Sequence, residues 1–179
     1  MTALRTRIRA DGELRDRIAQ LLPRNTGTPA VGKPEAGPLA QERADEILAR
    51  IVWSRLTEPG DEVAGMLIDA LGTGESLDLV ASRAPAREIA ARMREALGED
   101  EAPDARRIAA GIERWFARLS RTESVADLDR GAALGMSVLV PDDPAWPAAL
   151  ADLGHHAPRS LWMRGDPASL SAFSLAVVG

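Results

Sequence analysis

Ser174-Leu175-Ala176-Val177-Val178-Gly179 (SLAVVG) is an apolar run that closes on a glycine. A run of this kind is how a buried strand of an α/β protein hands over to a phosphate- or ligand-holding turn. Working back from it, Ser160-Leu161-Trp162-Met163-Arg164 reads as a second strand and Ser137-Val138-Leu139-Val140 as a third, bounded by Gly135 and Pro141. Between the strands lie two aspartate-proline pairs. Asp143-Pro144 sets an N-cap and first helical residue for the short helix PAWPAALADL (144–153), irregular at Pro147; Asp166-Pro167 repeats the device before ASLSAF (168–173). Strand, helix, strand, helix, strand is the opening of an α/β sheet. A parallel sheet needs both faces and both edges covered, and three strands do not close it. The expectation is that the sheet is incomplete at Gly179.

Upstream the period is helical. LAQERADEILARIVWSRL (39–56) places Ala44, Ile47, Leu48, Ile51, Val52 and Leu56 on one face, with charge opposite. Thr57-Glu58-Pro59-Gly60 breaks it. DEVAGMLIDAL (61–71) resumes with Val63, Met66, Leu67 and Ala70, and Gly72 stands where a left-handed residue ends a helix. ESLDLVAS (75–82) and APAREIAARMREAL (84–97) follow as short helices. Asp104 to Leu119 carries the stripe Ile108, Ile112, Trp115, Phe116 and Leu119. Short loops between such helices predict a compact bundle. The fold class is therefore α+β, with three parts: a flexible leader and Pro/Gly linker over 1–40, a helical domain over 41–130, and the first strands and helices of a truncated α/β domain over 131–179. Within the leader, residues 1–22 have the spacing of one amphipathic helix. PRNTGTPAVGKPEAGP (23–38) is a linker, so the arm is expected to be tethered rather than packed.

The 179 residues are 45% apolar and 27% charged, ordinary for a folded domain or two. The absence of cysteine excludes disulfides and thiolate metal sites. The charged N-terminus is not a secretory signal, and no stretch approaches the roughly 20 apolar residues of a membrane span. A cytoplasmic chain without membrane contact is expected. Charge is uneven: seven Lys/Arg against four Asp/Glu over 1–40, thirteen against nineteen over 41–130, two against four over 131–179. With a net charge of −5 the chain is a poor general polyanion binder, so any nucleic-acid role must come from a local patch or from sequence beyond Gly179. All but one of the 22 basic residues are arginine, a bias that a GC-rich genome explains as well as phosphate chemistry does.

Few residues carry chemistry. Leu71-Gly72-Thr73-Gly74-Glu75 has the helix–Gly-x-Gly–helix form that turns backbone N–H groups toward phosphate in helix-hairpin-helix modules, which makes Gly72 and Gly74 candidate DNA contacts. A helix cap followed by a turn explains the same residues, and Glu75 favours that reading. His155 and His156 are adjacent rather than four apart, so they suit a polar loop better than a metal site. Asp142 and Asp143 are better helix caps than an acid–base pair. No GxSxG, P-loop, HExxH or complete GxGxxG motif occurs, and no catalytic residue, metal or cofactor is expected. Trp115 and Trp162 read as core; Trp53 and Trp146 are not assigned.

The last fifty residues resemble the opening segment of the DNA-processing protein A family (DprA/Smf). The resemblance rests on Gly135, Asp143, Trp146-Pro147, Leu150, Pro158, Leu161-Trp162-Met163-Arg164-Gly165 and Leu175–Gly179. ARIVWSRLTEPGD (49–61) and LIDALGTGESLDLVAS (67–82) also look like that family's N-terminal sterile-alpha-motif-like or helix-hairpin-helix-like domain. The aromatic before proline, often tyrosine in the family, is Trp146 here. The resemblance implies a Rossmann-like α/β domain in which Gly179 starts a Gly-Ser-Arg turn that holds single-stranded DNA phosphate. It implies no enzyme activity, a RecA-type recombinase as partner, loading of that recombinase in recombination and natural transformation, and a homodimer in full-length members. Most of that DNA-binding domain would lie past Gly179. Two other readings stand beside it. One is a Rossmann-like enzyme of the nucleoside-monophosphate-cleaving kind, whose catalytic residues would lie downstream; the other is a helical protein-interaction module.

Overall fold

The computed structural model describes residues 17–19, 21, 38–119 and 124–173. The expected third strand, 174–179, lies outside the described residues, as do the linker 23–37 and most of 1–22. Residues 17–19 and 21 are helical. From Pro38 on come six α-helices: α1 (Pro38–Leu56), α2 (Glu62–Leu71), α3 (Thr73–Ala81), α4 (Ala86–Leu97), α5 (Ala105–Leu119) and α6 (Ser124–Ala133). After them come β1 (Ser137–Leu139), a 3-10 segment (Ala148–His156), β2 (Leu161–Met163) and a 3-10 turn (Pro167–Ser171). The class is thus α+β, mostly helical with a small two-stranded sheet. Among the described residues no helix is long and apolar enough to cross a membrane.

Local chemistry sets the helix ends. Asp61 caps α2, its Oδ1 accepting from the Ala64 N–H at 3.2 Å. Gly72 ends α2 at φ 80°, a conformation costly for a residue with a Cβ, and donates its N–H to Ile68 O at 2.7 Å. Asp104 caps α5 by accepting from the Arg107 N–H at 2.7 Å. Burial then follows the sequence stripes. Ile47, Leu48, Ile51, Val52 and Leu56 of α1 are buried, as are Ile108, Ile112 and Trp115 of α5. At the centre Trp53 and Trp115 meet edge to face, ring centroids 5.4 Å apart at 79°.

Three expectations are corrected. Ile18 and Leu21 sit in the same core and Arg17 pairs with Asp129 of α6 at 2.7 Å, so this part of the leader is packed, not merely tethered. Burying two apolar side chains favours this docking. Next, β1 and β2 pair antiparallel, Ser137 opposite Met163 and Leu139 opposite Leu161. A parallel pair needs a crossover lying on the sheet. Here the connection docks against α2 instead, and the chain returns alongside the strand it left. Lastly, no helix starts at Pro144. Turns occupy 141–146, and the Asp143 carboxylate reaches back to the Val140 N–H at 2.8 Å rather than forward into a helix. The second aspartate-proline pair behaves as read: Asp166 caps the 3-10 turn and accepts from Ala168 N–H at 2.9 Å.

Val138 and Val140 belong to the same buried cluster as the helices, with Trp162 packed against it. Apolar burial is therefore continuous across residue 130, where the sequence places a domain boundary.

Candidate functional site

The Gly72–Gly74 loop joins α2 to α3. Gly72 is exposed and a Cβ there would meet open space, whereas Gly74 lies in the first turn of α3. Thr73 between them is buried: its hydroxyl donates to the Glu46 carboxylate and its carbonyl accepts from Trp53 Nε1 at 3.0 Å. Glu75, in the same first turn, pairs with Arg92 of α4. A helix N-terminus favours anions, but here two carboxylates already stand at it. The arrangement is a cap followed by a turn, fastened to α1 by the Trp53 and Glu46 bonds. Gly179, the other candidate DNA contact, lies outside the described residues.

Of the described residues that carry the family resemblance, Gly135, Asp143, Trp146, Leu150, Pro158 and Gly165 lie in the turns and the connection around β1 and β2. Gly135 has φ 63° and passes the chain from α6 to β1, helped by Met136 N–H donating to Gly131 O at 2.9 Å. Asp143 is buried; besides Val140 N–H it takes the Arg43 guanidinium of α1. Trp146 is half-buried and donates its backbone N–H to Asp143 O at 2.9 Å. Leu150 and Pro158 are half-buried on the connection, and Gly165, at φ 113°, releases the chain from β2. Asp143→Ala leaves a buried N–H without its acceptor and should lower unfolding free energy by about 1–3 kcal/mol in urea titration. Asp143→Asn retains an acceptor for Val140 and should lose less. Equal stability of all three proteins would mean the carboxylate is not holding this turn.

The histidines act separately. His155 Nδ1 meets Asp69 Oδ2 at 2.7 Å, while His156 Nδ1 meets the Gly60 carbonyl at 3.0 Å. Arg159 joins the first pair, donating to Asp69 Oδ1 at 2.8 Å and to His155 O at 3.0 Å. Asp69 thus fastens the 3-10 connection to α2. Among the described residues no group of three or more His, Asp and Glu is placed to hold a metal ion. What the sequence reading passed over is arginine placement. Arg114 and Arg118 are four residues apart on α5, one helical turn, and the fold sets Arg55 of α1 beside them around a cavity. That spacing was the available signal, and the arginine-rich composition masked it. No family model, curated protein or solved structure matches this chain.

Proposed function

We propose that this chain is a non-enzymatic DNA-processing protein of the DprA/Smf kind, acting on single-stranded DNA with a RecA-type recombinase in the cytoplasm. On this reading the helices are the sterile-alpha-motif-like or helix-hairpin-helix-like domain, and the β1–β2 unit begins a Rossmann-like domain. The reading is carried by one observation. Glycine, strand, aspartate, aromatic-proline, leucine, proline and strand-glycine occur in the family's order, from Gly135 to Gly165. Two of them are the positive-φ glycines that bracket β1 and β2, and Asp143 holds the turn between the strands. Residues spaced by the needs of one small unit are a more specific signal than composition.

The tight grip on DNA is assigned to the turn that Gly179 opens and to residues after it, because the groups at the Gly72–Gly74 loop are acidic and engaged. Fluorescence anisotropy with a labelled oligothymidylate tests this. A chain continued through Ser-Arg and the rest of the sheet should bind about tenfold or more tightly than residues 1–179, the effect of one or two charge-assisted phosphate bonds. Equal affinities would remove the proposal, as would a gene that continues past codon 179 without the Ser-Arg pair.

A further inference from the structure

We draw no further inference here: the strongest candidate, the groove of about 330 Å³ between the end of α1, α6 and β2 that Leu134, Met136 and Trp162 line, carries nothing, because its charged groups, Arg55, Arg130 and Asp127, pair with one another and nothing in the structure shows what covers it.

Discussion

Replacing Trp115 with alanine should cost about 3–5 kcal/mol of unfolding free energy, roughly a fifth or more of the total stability usual for a domain this size. The indole is fully buried, makes an edge-to-face contact with the equally buried Trp53, and lies over Gly111 one turn back, where a Cβ would overlap its ring. Its Nε1–H donates to Asp61 Oδ2 at 2.9 Å, and the other oxygen of Asp61 caps α2. Truncation therefore opens a cavity and removes a bond from the cap. Trp115→Phe separates the two effects: it keeps most of the ring packing, loses the hydrogen bond, and should cost about 1 kcal/mol beyond any change in packing. Urea titration followed by far-UV circular dichroism reads both. An alanine variant within 1 kcal/mol of the parent would mean that the two tryptophans do not form the centre of this core.

The stripe on α5 that carries Trp115 was plain in the sequence, because helical spacing of Ile108, Ile112 and Trp115 is a property of neighbouring residues. Its partner was not. Asp61 is 54 positions away, and nothing local in either segment says that a cap on one helix will accept from an indole on another. The same division holds throughout. Helix limits, the Gly72 stop and the Asp166 cap depend on a few adjacent residues and were readable. Strand direction depends on where the connection lies, which Gly65 and Asp69 on α2 decide from some ninety residues upstream. Asp143-Pro144 carried a correct local signal for a cap, yet Val140 N–H and Arg43 of α1 captured the carboxylate. The grouping of Arg55, Arg114 and Arg118 was the least readable. Each arginine was visible, but the cavity exists only once the ends of α1 and α5 are brought together.

Gly65→Ala should destabilise the protein by about 2–3 kcal/mol, although intrinsic helix propensity predicts a gain of about 1 kcal/mol for the same change. The two effects have opposite signs, so the outcome decides whether the connection is docked where the structure puts it. Gly65 lies inside α2, buried, and a Cβ on it would overlap the backbone carbonyl of His155 and crowd Arg159. A side chain could rotate away; a carbonyl fixed in the 3-10 connection cannot. Accommodating the methyl group means lifting residues 148–159 from α2, at the expense of the bonds of Asp69 to His155 and Arg159 and of His156 to Gly60 O. Asp69→Asn weakens those bonds without the overlap and should cost no more than about 1 kcal/mol, since its partners are partly exposed. Amide exchange should localise the damage. In Gly65→Ala, protection should fall first in 148–163, while α4 and α5 keep theirs until global unfolding. Because β2 starts two residues after Arg159, the same methyl group displaces the strand from which the chain runs toward Gly179. On the proposed function, a continued chain carrying Gly65→Ala should then lose single-strand affinity. A variant as stable as the parent, or more so, would show that α2 is not the platform for the connection, and the placement of β2 would have to be abandoned with it.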